Sequence, residues 1–230
     1  MIPLRVVANR RATPTSRVLR LAVEDHPFAY RAGQAAWLRV DTERERTPYS
    51  IASSPEETSR HRWLEFLVKT DKSSRFGAHV DELRRGSTVL VHGPIGTFVF
   101  PDAPSERRFL FIAGGTGIAP LRSMVRHAID ANVPGRKTLL YSARTPDEFA
   151  YLAELRALAR QGAIDLRLTL TGLADRWRHS RGRAGTGLLA PLVDDQTLCF
   201  LCGPPSMITE VPEILRSLGV PQKGIRTEEY

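Results

Sequence analysis

Residues 109–125, FLFIAGGTGIAPLRSMV, decide how this chain folds. They begin with an apolar run at 109–113, whose length and residue types suit a strand buried on both faces of a parallel sheet. A glycine turn follows at 114–117, and then Ile118, Leu121 and Val125 recur at helical spacing. A strand, a glycine turn and a helix start bring free backbone N–H groups together where a phosphate can approach closely. The pattern is neither G-x-G-x-x-G nor a Walker loop, so a tight turn that only needs glycine is the alternative.

Composition sets limits on the class of protein. A hydrophobic content of 42% with 25% charged residues is ordinary for a soluble globular protein. No apolar run is long enough to span a membrane, and the start of the chain lacks the apolar stretch of a signal peptide. Two cysteines, Cys199 and Cys202, exclude a disulfide scaffold and are too few for an iron–sulfur cluster. We therefore expect a cytoplasmic monomer that does not contact membranes.

The net charge of +8 raises the question of nucleic-acid binding. The basic residues are scattered along the chain, and no stripe interleaved with aromatic residues is present, so nucleic acid is not the expected partner. An excess of positive charge is compatible instead with steering towards an acidic protein.

Two regions with different periodicity follow one another in the chain. Short strands are predicted at 4–7, 17–23, 36–40, 63–68 and 88–91, with one helix through Phe76, Val80 and Leu83 capped by Ser73 or Ser74. This pattern indicates a small antiparallel β-barrel over 1–103. After the Pro-rich segment 101–105, strands at 109–113, 138–142, 164–171 and 198–201 alternate with helices at 118–131, 147–160 and 206–218. Such alternation predicts a doubly wound parallel sheet over 104–230.

Several motifs, in this order, carry a family resemblance. They are RAGQ (31–34), TPYSIASSP (47–55), GPIGTF (93–98), GGTGIAP (114–120), YSAR (141–144), CGPPSM (202–207) and the final EEY (228–230). In order and spacing the chain resembles the ferredoxin–NADP reductase superfamily of flavin reductases, over essentially its whole length. The resemblance implies FAD on the barrel and NADH or NADPH on the parallel sheet.

The flavin residues are inferred from the barrel motifs. The resemblance implies that Tyr49 lies along the isoalloxazine and ribityl chain and that Ser50 hydrogen-bonds near the hydride-accepting nitrogen. The family's Arg-x-Tyr-Ser pattern is broken, because Thr47 occupies the arginine position while Arg46 points to the other strand face. In the family that arginine pairs with the flavin phosphates; here the amides at the predicted helix start remain available to an anion, and Lys69, Lys72 or Arg75 could supply the missing charge. The implied FAD-binding residues are Thr47, Pro48, Tyr49, Ser50, Val68, Lys69, Ser73, Ser74 and Arg75.

The nicotinamide residues are inferred from the second half. The resemblance places Cys202 beside the nicotinamide, has Glu228 orient Cys202 and Ser50, and stacks the ring of Tyr230 on the flavin. Ser50, Cys202, Glu228 and Tyr230 form the implied catalytic set. The implied nucleotide-binding residues are Gly114, Gly115, Thr116, Gly117, Arg144, Cys202, Gly203, Pro204, Met207 and Tyr230.

The Cys199-x-x-Cys202 spacing does not indicate a metal or a redox dithiol. On a strand, two side chains three positions apart point to opposite faces, and no second pair completes a zinc site. We expect no metal.

The leading functional interpretation is an NAD(P)H-dependent flavoprotein that passes single electrons to a separate carrier, an acidic ferredoxin-type or oxygenase-system protein. One alternative is a free-flavin or ferric-chelate reductase, which the lost arginine favours; another is a non-catalytic flavin-binding subunit. Thr171-Gly172 stands where NADP-linked relatives carry Ser/Thr-Arg, which favours NADH. The arginines just downstream leave NADPH open; they are Arg176, Arg178, Arg181 and Arg183.

Overall fold

Six antiparallel strands form the first sheet. In the computed structural model, which describes residues 1–23, 27–40, 44–70, 75–172, 174–175 and 177–229, the sheet order is β4-β3-β6-β1-β2-β5. The strands are β1 (Ile2–Thr13), β2 (Ser16–Ala22), β3 (Ala35–Val40), β4 (Thr47–Ser50), β5 (Trp63–Lys69) and β6 (Thr88–Ile95). Just beyond β4, Ile51 makes an antiparallel bridge to Phe66 in β5, and the Ala52 N–H donates to the Glu65 carbonyl at 2.7 Å. These contacts join the two edges, which confirms the predicted antiparallel barrel.

Two helices belong to this part of the chain. Phe76, Val80 and Leu83 are all buried in the barrel core, as the helical spacing predicts, but the helix is short: α2 (Arg75–His79) continues as a 3-10 turn (Val80–Glu82). The predicted caps, Ser73 and Ser74, lie outside the described residues. α1 (Pro55–His61) was not predicted, although its capping box, Ser54 with Glu57, follows the usual start pattern of a helix.

Six parallel strands form the second sheet, in the order β10-β9-β8-β7-β11-β12. They are β7 (Arg108–Gly114), β8 (Arg136–Ala143), β9 (Asp165–Leu170), β10 (Ser180–Arg181), β11 (Thr197–Gly203) and β12 (Ile225–Glu229). β7 and β11 are almost wholly buried, which agrees with their unbroken apolar sequences. The doubly wound parallel sheet is confirmed.

The helices of the second sheet follow the predicted alternation with shifted ends. They are α3 (Ile118–Asp130), α4 (Leu152–Arg160), α5 (Thr186–Leu189) and α6 (Pro205–Ser217). α4 begins five residues later than predicted, because 146–148 form a 3-10 turn and Tyr151 has a left-handed backbone with φ of 59°. Short 3-10 turns also occur at Gly115–Gly117, Ala190–Leu192 and Gln222–Gly224.

The chain divides into two compact units. The first contains Met1–Phe100 and Arg122–Ala131, and the second contains Pro101–Leu121 and Asn132–Tyr230. The assignment of 1–103 and 104–230 to two functional domains stays a prediction. Among the described residues, no helix is both long enough and apolar enough to cross a bilayer.

Candidate functional site

The glycine turn lies at the carboxyl end of β7, in the middle of the parallel sheet. Gly115 has a φ of +52°, in the left-handed region that glycine adopts without strain. The 3-10 turn Gly115–Gly117 runs directly into α3, a helix of 13 residues. The first amides of a helix lack intrahelical acceptors and carry the positive end of its dipole. This turn therefore has the donors that a phosphate group requires.

The end of β11 lies against this turn. A Cβ atom added to Gly117 would lie 2.2 Å from the Cys202 carbonyl oxygen, and one added to Gly114 would lie 2.9 Å from Pro204. Met207 approaches both Gly114 and Gly203. β7 and β11 are neighbours from which the remaining strands run outward in opposite directions, so the contact lies at the switch point of the sheet. The structure thus brings together the predicted residues of the glycine turn and of the CGPPSM motif.

Cys202 pairs with Glu228 across the parallel strands β11 and β12. Its thiol is buried, and burial together with the nearby Glu228 carboxylate raises the pKa of Cys202 well above its usual 9.0. The thiol is therefore protonated at neutral pH and is a poor nucleophile. Tyr230, the remaining member of the predicted catalytic set in this half, lies outside the described residues.

Cys199 lies on the opposite face of β11, in an apolar cluster with Leu110, Leu201 and Leu215. Burial and the nearby Asp194 raise the pKa of Cys199 to about 12. Both cysteines are free thiols. In the part of the chain that the structure describes, no group of three or more His, Cys, Asp or Glu side chains is arranged to hold a metal ion.

The ends of β8 and β9 carry Arg144, an implied nucleotide-binding residue, and the Thr171-Gly172 pair that favours NADH. Arg144 is exposed, and its carbonyl accepts the Gly172 N–H at 3.0 Å, so the two predicted positions are adjacent. Three of the downstream arginines are described: Arg178 is exposed, Arg181 donates to the Ala174 carbonyl at 2.7 Å, and Arg183 pairs with Glu210 at 2.9 Å. Arg176 lies outside the described residues.

The predicted flavin residues of the barrel lie on β4 and β5. Thr47 and Tyr49 pair with the buried Leu38 and Ala36, so their side chains share the inner face, whereas Ser50 alternates to the other face. The half-buried Tyr49 ring packs 5.6 Å from the Phe76 ring, in the core cluster that contains Val68. Tyr49 is thus partly exposed on β4 next to Ser50, and an aromatic side chain in that position fits one side of an isoalloxazine site.

Among the residues that the structure describes, few charged side chains lie near Tyr49 and Ser50. Arg46 lies 4.8 Å from the Trp37 ring, and Trp37 pairs with Pro48, so Arg46 is on the face opposite Tyr49, as strand alternation predicts. Lys69 is exposed at the end of β5. Arg75 begins α2, and its side chain is not described. The residues present fit the ring of a flavin, while Thr47 brings no charge to its phosphates.

A buried ion pair beside this site was missed in the sequence. Arg122 of α3 and Glu57 of α1 are each 4% exposed and are joined by two hydrogen bonds of 2.9 and 3.0 Å. Burial alone would raise the pKa of Glu57, but Arg122, the Ser54 amide and Arg126 hold it below its usual 4.5. The only sequence signal was the pattern Ser54-x-x-Glu57, which indicates a helix start and not an ion pair.

Family models match both halves of the chain. The model of the oxidoreductase FAD-binding domain matches residues 3–100, and that of the oxidoreductase NAD-binding domain matches residues 111–213.

Whole-chain comparisons agree with these matches. The chain is 32% identical over 240 residues to Ferredoxin–NADP reductase B of Sorangium cellulosum, covering 98% of this chain and 96% of the relative. It is 28% identical to the glycine betaine monooxygenase reductase subunit of Pseudomonas aeruginosa over 88% of this chain, and it spans 57% of that relative's length. Among solved structures, a ferredoxin NADP+ reductase from Neisseria gonorrhoeae with bound FAD and NADP has the same fold, with a TM-score of 0.86, 18% identity and coverage of 99% and 98% of the two chains.

Proposed function

Because this chain belongs to the ferredoxin–NADP reductase superfamily, we propose that it takes a hydride from NADH or NADPH onto FAD and delivers electrons one at a time to a separate carrier. The chain is an NAD(P)H-dependent flavoprotein oxidoreductase. A bound flavin supplies the conversion between two-electron and one-electron transfer, and the protein's part is to hold the two cofactor rings in reacting geometry.

The contact of Gly117 with Cys202 is the single observation that supports this function most strongly. It places the start of α3 against the end of β11, which carries a buried, protonated thiol, at the switch point of a parallel sheet. Open α/β sheets bind nucleotides at such a point. We propose that the amides of the glycine turn hold the nucleotide phosphates and that Gly203, Pro204 and Met207 border the same site.

Cys202 and Glu228 then act by placement and not by nucleophilic attack. The protonated thiol offers a weak S–H donor and a soft apolar contact for a nicotinamide ring. Glu228 lies on the neighbouring strand at the same register, where its carboxylate favours the protonated thiol. Tyr230 follows two residues later, and we propose that its aromatic ring would stack on the flavin ring when that cofactor is bound.

We propose that residues 1–103 hold the flavin and that residues 104–230 hold the nucleotide. On the barrel, we propose that an isoalloxazine would lie across the end of β4, where it could reach the Tyr49 ring on one strand face and the Ser50 hydroxyl on the other, with Thr47, Pro48 and Val68 around it. We propose that Lys69, Ser73, Ser74 and Arg75 would bind the flavin phosphates, with the start of α2 at Arg75. An anion at a helix start is stabilised by its free amides.

NADH is the proposed reductant. Thr171 and Gly172 lack the arginine that would pair with a 2′-phosphate, and two nearby arginines are engaged with other groups: Arg181 with the Ala174 carbonyl and Arg183 with Glu210. Arg144 is exposed beside Gly172 and is proposed to contact the sugar or phosphate side of the nucleotide.

The proposed acceptor is an acidic one-electron carrier of the ferredoxin or oxygenase-system type. The net charge of +8 would speed its encounter, with a strong dependence on ionic strength. The outer face of the barrel has a cavity of about 750 Å³ lined by basic residues and by Trp37; the lining residues are Met1, Trp37, Arg39, Arg44, Glu45 and Arg46. The basic lining of this cavity supports the proposal that an acidic carrier protein docks on this face.

A second candidate function is reduction of free flavin or a ferric chelate, and Thr47 is the observation that favours it, because a flavin without an arginine on its phosphates would be held loosely. The test is stopped-flow reduction of candidate ferredoxins, free flavin and ferric chelates by the NADH-reduced protein across a salt series. The proposal expects a carrier to be reduced fastest, at a rate that falls steeply with salt. A rate that is flat in salt, together with faster reduction of a small acceptor, would replace it with the second candidate.

A further inference from the structure

The buried guanidinium of Arg122 hydrogen-bonds to the chain segment that follows Tyr49 and Ser50, the proposed flavin-binding residues. Nη1 of Arg122 donates to the Ala52 carbonyl at 2.7 Å and to Oε2 of Glu57 at 2.9 Å, while Nη2 donates to Oε1 of Glu57 at 3.0 Å. The planar guanidinium of Arg122 therefore hydrogen-bonds both to a side chain in α1 and to a backbone carbonyl two residues after Ser50.

Neighbouring side chains form further hydrogen bonds to the same segment, so that three consecutive residues, 52–54, are held. Ser123, fully buried, donates its hydroxyl to the Ser53 carbonyl at 2.6 Å, and Tyr30 donates to the same carbonyl at 2.9 Å. Glu57 accepts the Ser54 N–H at 3.0 Å, which completes the capping box of α1. Each peptide group from Ala52 to Ser54 is thus held by a side chain.

A second carboxylate, that of Glu65, is buried beside Arg122 and Glu57, and its burial adds a further desolvation cost. Glu65 of β5 is fully buried; its Oε2 pairs with Arg20 at 2.5 Å, and its Oε1 lies 3.7 Å from Nη1 of Arg122 without a hydrogen bond. Charges are costly to desolvate, and apolar side chains of similar volume often give equal stability. Stability alone does not account for charges at this position, whereas a directed contact to the Ala52 carbonyl does require a donor.

We propose that Arg122 and Ser123 are positioning residues for the flavin: they fix 52–54 so that Ser50 is held at reacting distance from the ring. This rests on the proposed flavin site at Tyr49 and Ser50. Ser50 is held on one side by its pairing with Ala35 in β3, and on the other side by the anchored segment, which begins at most about 7 Å further along the chain. Misplacement of a reacting group by about 1 Å costs roughly a hundredfold in rate, so a loosened anchor would be seen in turnover before it is seen in folding.

The test compares three variants of the full chain after reconstitution with FAD. Arg122→Lys keeps the charge but loses the planar guanidinium, and Ser123→Ala removes one hydrogen bond while the Ser53 carbonyl keeps Tyr30. Arg60→Ala is the matched control, because Arg60 makes an exposed ion pair with Asp130 at 3.0 Å between the same two helices, α1 and α3. The measurements are the FAD dissociation constant, the visible spectrum of bound flavin, and kcat and KM for NADH-driven reduction of ferricyanide.

The expected result is a split between kcat and KM. Arg122→Lys should lower kcat at least about tenfold and shift the flavin spectrum, with the KM for NADH within about twofold of the parent. Ser123→Ala should lower kcat by roughly two- to fivefold, the usual effect of one hydrogen bond, and it carries the test if Arg122→Lys does not fold. Arg60→Ala should match the parent in every measurement.

Two results would overturn the inference, and they are distinguishable. If the parent binds FAD and turns over while both α3 variants keep its kcat and spectrum, the positioning role fails and the proposed function stands. If the parent binds no FAD under any reconstitution condition, the proposed function fails and the positioning role fails with it.

Discussion

Replacing Gly117 with alanine tests the contact on which the nucleotide site depends. The new Cβ would lie 2.2 Å from the Cys202 carbonyl oxygen, 2.5 Å from its carbonyl carbon and 2.9 Å from the Gly203 nitrogen. All three atoms belong to backbone, so no side chain can rotate away, and the turn and the end of β11 must separate by about 1.3 Å to bring the shortest contact to roughly 3.5 Å. Gly117 does not have a positive φ, so the expected effect is steric alone.

Overpacking of this kind destabilises by about 1–3 kcal/mol. We expect Gly117→Ala to lose that amount in urea unfolding followed by circular dichroism, and to raise the KM for the nicotinamide nucleotide. The matched control is Gly187→Ala in α5, where an added Cβ meets no atom within 4 Å. Because alanine favours a helix over glycine, the control should be unchanged or more stable by up to about 1 kcal/mol. If Gly117→Ala unfolds at the same urea concentration as the parent, the close packing of the glycine turn on β11 is wrong.

Three further predictions concern the cofactors and the buried carboxylate. Thr47→Arg should tighten FAD roughly tenfold in equilibrium titration, since an arginine–phosphate pair is bidentate and charge-assisted, whereas Arg46→Ala should leave the dissociation constant unchanged. The lowered pKa of Glu57 means that its stabilising effect is complete above about pH 4.5 and is lost as the pH falls through the folded-state value. Urea unfolding should therefore show a loss of stability below about pH 5 that Glu57→Gln makes shallower; equal slopes in the two proteins would contradict this. Steady-state kinetics should give a higher kcat/KM with NADH than with NADPH, and a tenfold preference for NADPH, worth about 1.4 kcal/mol, would reverse the assignment.

Local patterns predicted most strands of the two sheets, because those strands carry a signal that does not depend on distant residues. Apart from their first residues, Arg108 and Thr197, β7 and β11 are apolar, and they are the buried central strands of the parallel sheet. β12 was missed because its sequence, IRTEE, is largely polar. Such a sequence is compatible with an edge strand, which pairs with a single neighbouring strand. A strand of that kind is recognisable only once its partner, β11, is known.

The buried charges were unpredictable for a different reason. Arg122 and Ser123 interrupt the apolar repeat of α3 and would ordinarily lie on its solvent face, yet they are 4% and 0% exposed. Their partners are 65 and 70 residues away in the chain, at Glu57 and Ser53. No local spacing rule relates positions so distant, so the cluster depends on how α1 and α3 pack, which the sequence pattern does not contain.

The protonation of Cys202 decides what kind of chemistry the end of β11 can perform. Burial comes first among the causes that raise its pKa, and the carboxylate of Glu228 adds to it, so both influences favour the neutral thiol. Cys199 is protonated as well, and it faces an apolar cluster on the other side of the strand, so the two sulfurs cannot combine as a dithiol pair. A neutral thiol beside a carboxylate can support a ring by contact and hydrogen bonding, and its state does not change between about pH 6 and 8. Any variation of turnover with pH in that range must therefore come from a group other than these two cysteines.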